Sequence, residues 1–227
     1  MSWIALSGWG QPYDALLNIA PNAQHVNYAR ENSVTAALEA IAAASKNADM
    51  VIGWSLGGQM AVRAVAAKML RPRRLVLIAA PFQFVERPEL SLGMKRDLYD
   101  KFRDNYARNP QRTLQKSWEL IIKGDANADQ VRAHLTGQDA SHALVNDWLH
   151  WLDMLELYSC EGLDFSGFPP TLIMQGKQDA VVHKDQSQKF SRIIPHAELI
   201  EMEACGHAPH WHDPAFIKRA IDKHADV

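Results

Sequence analysis

Short apolar runs alternate with helical periodicity up to about residue 80 of this chain. Residues 3–6 read as a buried strand, followed by the Gly-rich loop Ser7-Gly8-Trp9-Gly10. Residues 25–28 form a weaker apolar run that reads as a second strand. Behind Ser33, a residue type suited to an N-cap, Val34, Ala37, Leu38, Ile41 and Ala42 recur at helical spacing. Residues 50–53 then read as a buried strand, 56–69 as a helix and 75–79 as another strand. Strand–helix–strand repetition with short links predicts a parallel sheet with helices on both faces.

The rhythm breaks between residues 82 and 159. Helical patterns run near 91–108, 111–123, 127–136 and 141–157, with no convincing strand among them. Alternation resumes with a strand at 171–175, a helix near 185–193, a strand at 198–202 and a last helix after Pro214. The inserted stretch carries no Gly/Ser run, low-complexity tract or internal repeat, so it reads as folded structure rather than linker. The expected organisation is an α/β core of residues 1–81 and 160–227, interrupted by an all-helical cap at 82–159.

Gly53-Trp54-Ser55-Leu56-Gly57-Gly58 has the G-x-S-x-G pattern of a nucleophile elbow, between a strand and a small-residue helix. The spacing has a steric cause, because a serine on a tight strained turn leaves no room for side chains two positions either side. A serine hydroxyl is a poor nucleophile at neutral pH and needs a base. Asp179, in the loop after the 171–175 strand, and His207, in the loop after the 198–202 strand, complete the order Ser, Asp, His that this topology uses. Ser55 would attack, His207 would carry the proton and Asp179 would orient the imidazole. Asp164 and Asp185 are weaker rivals for the acid, while His183, His196 and His224 read as solvated. The alternative of a metal cluster in His207-x-x-His210-x-His212 has irregular spacing and no completing Cys or carboxylate, so no metal is expected. Backbone amides of Leu56 and Trp9 are the expected oxyanion donors.

With elbow, acid and base placed, the chain resembles the α/β-hydrolase superfamily. Within it, the chain is similar to the pimeloyl-acyl-carrier-protein methyl ester esterases of biotin synthesis. Gly8-Trp9-Gly10, the elbow, and Gly206-His207-Ala208-Pro209 followed by Asp213-Pro214 and Phe216 carry the resemblance, with a looser match at Gln111-Arg112-Thr113 and Lys116. It implies a cofactor-free serine carboxylesterase acting on an ester borne by acyl carrier protein, under a helical cap that faces the carrier with basic residues. Trp9, Trp54, Phe82, Phe84, Ser117, Trp118 and Ile121 are the expected substrate-binding residues, although core packing would account equally for Phe82 and Phe84. The chain departs from the superfamily pattern in three ways. Ser7 stands where a histidine usually precedes the oxyanion glycine, the antiparallel first hairpin is expected to be missing, and the usual Gly-x-Gly segment before the elbow is absent. A generalist short-chain esterase or thioesterase is the second reading, and a non-catalytic ligand-binding relative the third.

Composition narrows this picture. The 227 residues are 47% hydrophobic and carry 24 basic against 26 acidic side chains, a net charge of -2. That excludes intrinsic disorder and argues against a nucleic-acid binder driven by bulk charge. No apolar run is long enough to span a bilayer, and the start Met-Ser-Trp-Ile-Ala-Leu lacks the basic and apolar regions of a secretory signal. With only Cys160 and Cys205, read as free thiols, a cytoplasmic location is expected; the oligomeric state stays open, with a monomer favoured. Charge is unevenly placed: Lys95, Arg96, Lys101, Arg103, Arg108, Arg112 and Lys116 face only Asp97, Asp100 and Asp104 across residues 95–116. On a 111–123 helix, Arg112, Lys116 and Lys123 would fall within about 40° of one another. With Arg108 they are the expected docking residues for an acidic carrier, or else a solvated helix face.

Overall fold

A computed structural model of the chain describes residues 1–46, 48–88, 90–137 and 148–226. Its sheet comprises β1 (Trp3–Leu6), β2 (Gln24–His25), β3 (Met50–Trp54), β4 (Arg74–Ile78), β5 (Thr171–Gly176) and β6 (Ala197–Met202). The strands lie in the order β2-β1-β3-β4-β5-β6, and each of these pairings is parallel. Chain order runs outward from β1 to β2, then returns to β3 on the other side of β1. That reversal opens a crevice beyond the carboxyl ends of β1 and β3, where ligands of open α/β sheets bind.

Both faces of the central strands are covered, which is why Met50-Val51-Ile52 and Leu75-Val76-Leu77-Ile78 are continuous apolar runs instead of alternating ones. Alternate side chains go to opposite faces. Val51, Leu75, Leu77 and Ile173 pack with Met60, Ala61 and Ala64 of α2 (Leu56–Ala66). Ile52, Val76, Ile78, Leu172 and Met174 pack on the other side with Trp211 of α8 (Pro209–His212), and with Ile217 and Ile221 of α9 (Pro214–Asp226). The Ser33 hydroxyl caps α1 (Val34–Ala44) by accepting from the Ala36 amide at 3.2 Å.

Between β4 and β5 lie α3 (Arg96–Arg108), α4 (Pro110–Ile121), α5 (Ala128–Gly137) and α6 (Trp148–Leu157), with α7 (Asp185–Ile193) following β5. The segment leaves and returns to the sheet at one place: the Cys160 amide donates to the Phe82 carbonyl at 2.9 Å, and Gln83 bridges Ser159. Tyr99 of α3 donates to the Leu152 carbonyl of α6, and Arg103 forks onto Asp153 at 2.6 and 3.1 Å. Among the described residues, no helix is long and apolar enough to cross a membrane.

Four elements differ from the sequence expectation. The 25–28 strand shrinks to Gln24–His25, because residues 28–30 turn into a 3-10 helix while the Tyr28 hydroxyl reaches the Ser7 carbonyl at 2.6 Å. The 56–69 helix ends at Ala66, ahead of Lys68 at φ +59°. The 91–108 helix starts only at Arg96, since Val85 bridges Met94 and Arg87 bridges Leu90. The 111–123 helix has its last helical residue at Ile121, before Gly124 at φ +75°. Of the 141–157 stretch, residues 141–147 lie outside the described residues.

Helix α2 approaches β1 so closely that a Cβ on Gly57 would lie 2.2 Å from the Leu6 carbonyl oxygen. Backbone forms that wall and cannot yield as a side-chain tip can. Gly57→Ala is therefore expected to cost about 3 kcal/mol or more in urea denaturation. Gly167→Ala, where an added Cβ meets no described atom within 4 Å, should change stability by less than about 0.5 kcal/mol.

Candidate active site

Ser55 joins β3 to α2 at φ +53° and ψ −119°, a region that side-chain-bearing residues rarely occupy. Glycines make the turn possible: a Cβ on Gly53 would lie 2.6 Å from Gly58 Cα, and one on Gly58 would lie 2.6 Å from Ala80 Cβ. The Ser55 amide is anchored on the Ile78 carbonyl of β4 at 2.9 Å. The sharp turn lifts the hydroxyl out of the sheet at the topological crevice.

His207 and Asp179 meet it there. His207 Nε2 lies 3.0 Å from Ser55 Oγ, and Nδ1 lies 2.7 Å from Asp179 Oδ2. Both side chains are almost wholly buried. Asp179 is held by donors on every side: Gln175 Nε2 at 2.8 Å on Oδ2, and the Val181 and Val182 amides at 2.8 Å on Oδ1. Those bonds hold the carboxylate at a fixed position. The loops carrying the two residues are tied by backbone, with the Gln178 amide on the Cys205 carbonyl and the Lys177 amide on that of Met202, both 2.9 Å. A Cβ on Gly176 would lie 2.0 Å from the Gly206 carbonyl oxygen, so only glycine permits this approach.

The two amides expected to serve an oxyanion, those of Leu56 and Trp9, sit on two turns. Leu56 opens α2, where the first amides of a helix have no partner within it. Trp9 follows Gly8, whose added Cβ would come within 3.4 Å of Ser55 Cβ, so this loop abuts the serine. Ser55 and His207 form the floor of a small cavity of about 50 Å³. Its walls are Trp9, Phe84, Met94, Phe102, Ser117, Leu120, Ile121, Leu152, Leu155 and Val181. No ionisable side chain other than His207 lines it among the described residues.

A family model, Alpha/beta hydrolase family, matches residues 4–220. The chain belongs to the alpha/beta hydrolase family. Among its relatives, the pimeloyl-(acyl-carrier protein) methyl ester esterase of Nitrosomonas europaea is 31% identical over 164 residues, 70% of this chain and 64% of that protein. The chain thus spans slightly less than two thirds of that relative. The protein of the same name from Aromatoleum aromaticum is 26% identical over 93% of this chain and 92% of its own length. The fold matches that of an esterase from Exiguobacterium antarcticum with a TM-score of 0.81 at 17% identity, covering 100% of this chain and 92% of that one.

Several residues singled out from sequence sit elsewhere than expected. Phe82 is in the core against Phe190, ring centroids 5.2 Å apart, with Lys189 Nζ 4.5 Å from its ring, and does not line the cavity. Trp118 packs on the Trp211 side of the core, because α4 turns its 118 face away from the cavity. Trp54 touches the cavity floor, but its indole N–H donates to the His207 carbonyl at 2.9 Å and its ring packs on His210 and Trp211. Phe84, Ser117 and Ile121 line the cavity, and the Trp9 ring meets Phe102 and Tyr106 edge-on while its indole N–H donates to the Trp148 carbonyl. Arg108, Arg112, Lys116 and Lys123 are all exposed. Lys123 follows the C-cap of α4, so helical periodicity does not align it with the other two.

Sequence reasoning missed Met94, Phe102, Leu120, Leu152, Leu155 and Val181, since an apolar position alone does not say which apolar surface it faces. Gln175 was also missed; a polar residue inside a buried strand, four positions before the acid, was the available signal. The histidines of the 207–212 stretch do not converge. His207 points to Asp179 and His212 to Asp125, while the ring nitrogens of fully buried His210 have no partner among the described residues. Burial first, then the neighbouring His207 and His134, hold His210 well below the usual imidazole pKa, hence neutral. Asp125, Cys205 and His212 do place ligand-type atoms within 4.8 Å of one another. Asp125 is already engaged by hydrogen bonds there, and burial pushes the Cys205 thiol up, which keeps it protonated.

Trp54→Phe keeps the ring and removes the donor to the His207 carbonyl. Leaving that buried carbonyl unpaired should cost about 1–3 kcal/mol, read as a lowered urea midpoint. An unchanged midpoint would mean that the carbonyl finds another donor.

Proposed function

We propose that the protein is a serine carboxylesterase whose substrate is the methyl ester of pimeloyl-acyl carrier protein, releasing methanol. The observation that carries the reading is the unbroken Ser55–His207–Asp179 hydrogen-bond chain at the floor of an apolar cavity. Ser55 Oγ attacks the ester carbonyl as His207 Nε2 takes its proton, and the Leu56 and Trp9 amides bind the resulting oxyanion. His207 returns that proton to the departing methoxide, leaving an acyl-enzyme. Water, deprotonated by His207, then attacks the acyl carbon, and the proton goes back to Ser55 as the free acid leaves. Asp179 orients the ring and stabilises the imidazolium. Each oxyanion donor contributes roughly 10²–10³ in rate.

The substrate class rests on the two relatives' names and on two features of this chain. An apolar cavity whose only titratable wall among the described residues is His207 suits a neutral ester end and disfavours a free carboxylate, whose desolvation would go uncompensated. Helix α4 presents Arg112 and Lys116, both exposed, while its other side lines the cavity with Ser117, Leu120 and Ile121. An acidic carrier drawn to that face would deliver its acyl chain beside the cavity. Arg108 is less available, since it faces Asp104 one turn back at 4.0 Å. The second reading, a generalist esterase, shares the chemistry and differs only at this face.

Ser55→Ala should lower hydrolysis of p-nitrophenyl esters by roughly 10⁶; undiminished turnover would sink the mechanism. Arg112→Glu with Lys116→Glu should reduce turnover of the carrier-bound ester at least about tenfold at low salt while leaving a small free ester unaffected. Equal losses on both would remove the docking role. Rescue of a biotin auxotroph lacking its own esterase tests the substrate, and failure despite good expression and esterase activity would favour the generalist.

A further inference from the structure

The α4–α5 connection is clamped to the turn that carries His207. Asp125, whose side chain is 0% exposed, accepts the Gly206 amide on Oδ2 at 2.8 Å. Its Oδ1 takes the Asn127 amide at 2.8 Å and pairs with His212 Nδ1 at 2.6 Å. Around it, the His207 amide donates to the Ile121 carbonyl at 3.0 Å and the Ala126 amide to the Ala204 carbonyl at 2.7 Å. The packing leaves no slack, because a Cβ on Gly206 would lie 2.5 Å from the Ile121 carbonyl oxygen.

We propose that Asp125 is a positioning residue for His207, acting through the backbone of residue 206, in the reaction assigned above. Asp179 fixes the imidazole ring, and Asp125 fixes the main chain from which that ring hangs. The residue type follows from its surroundings. Two amide N–H groups and an imidazole N–H converge on one buried group, and only an ionised carboxylate accepts from all three without presenting a donor. Asparagine keeps the shape but turns an NH₂ against at least one of those donors. Alanine leaves three donors unpaired and frees the Gly206 turn. Shifting a reacting group by about 1 Å can cost about 10² in rate while the substrate still binds.

The test measures kcat and KM on p-nitrophenyl butyrate, normalised to Ser55 sites titrated with a fluorophosphonate. Asp125→Ala is expected to lower kcat about 100-fold with KM within about twofold, and Asp125→Asn should recover part of that loss. A folded Asp125→Ala protein with kcat within about threefold of wild type overturns the proposal, as does a loss confined to KM. Should Asp125→Ala not fold, Asp125→Asn carries the test, with kcat down about tenfold expected and unchanged kcat overturning it. Hydrogen exchange at the Gly206 amide separates this inference from the function it rests on. Wild-type protein that neither turns over esters nor labels at Ser55 refutes the esterase reading. Faster Gly206 exchange in Asp125→Asn then still supports the clamp, and unchanged exchange refutes it.

Discussion

Ser55 holds a backbone conformation that costs a residue with a side chain about 1–3 kcal/mol, and such a cost persists only where the surroundings over-determine it. Here they do. The residue before Ser55 pairs into β3, the residue after it opens α2, and the Ser55 amide itself is bonded to β4. Relaxing the turn would require α2 to leave the sheet, because the glycines on both sides bring backbone against backbone at distances no side chain allows. The same compression presents the hydroxyl to the cavity and places it at the start of α2. Backbone strain, the placing of the hydroxyl and the nearby helix N-terminus are three consequences of one turn.

The opposite side of the crevice is fixed by a different means. Ala204, in the loop after β6, also holds a positive φ of +45°, and the loops after β5 and β6 are bound to each other by backbone hydrogen bonds and by the Gly176–Gly206 contact. Asp179 spends its lone pairs on Gln175, two amides and His207, so the carboxylate is oriented before any substrate arrives. Preorganised dipoles of this kind need not reorganise as charge develops, which is where electrostatic catalysis gains most. Trp54 links the two sides, since it precedes the serine in sequence and supports the His207 carbonyl in space.

How much of this was legible depended on whether the physics is local. The elbow was readable because its glycines answer to contacts within one strand–turn–helix unit. Strands β3, β4 and β5 were readable because two-sided burial writes itself as continuous apolar runs. The proposed acid and base, Asp179 and His207, could be named from their place after the last two strands. Phe82 and Trp118 were misplaced because periodicity identifies an apolar face and is silent about which apolar surface it meets. Lys123 was aligned with Arg112 and Lys116 only by extending α4 past Ile121, where Gly124 closes the turn. Gln175 stands only four positions before Asp179 and was readable as a polar residue in a buried strand, whereas Asp125 carries no motif, since it acts on a residue far along the chain: Asp125 and Gly206 are 81 positions apart.

That last separation bears on what the inserted helices are. A lid that merely covers a site should touch the core through side chains and be separable from it. Helix α4 instead sends its own backbone into the site, with the Ile121 carbonyl accepting the His207 amide, while Leu114 crowds Gly10 in the loop after β1. One helix therefore contacts the loops of both proposed oxyanion donor and base, and its middle forms the cavity wall. Any force on the exposed face at Arg112 and Lys116 is borne by a rigid element that ends on the His207 turn. Helix α4 and the turn that follows it are on these grounds tied into the candidate site, and removing them would unpair the Gly206 and His207 amides.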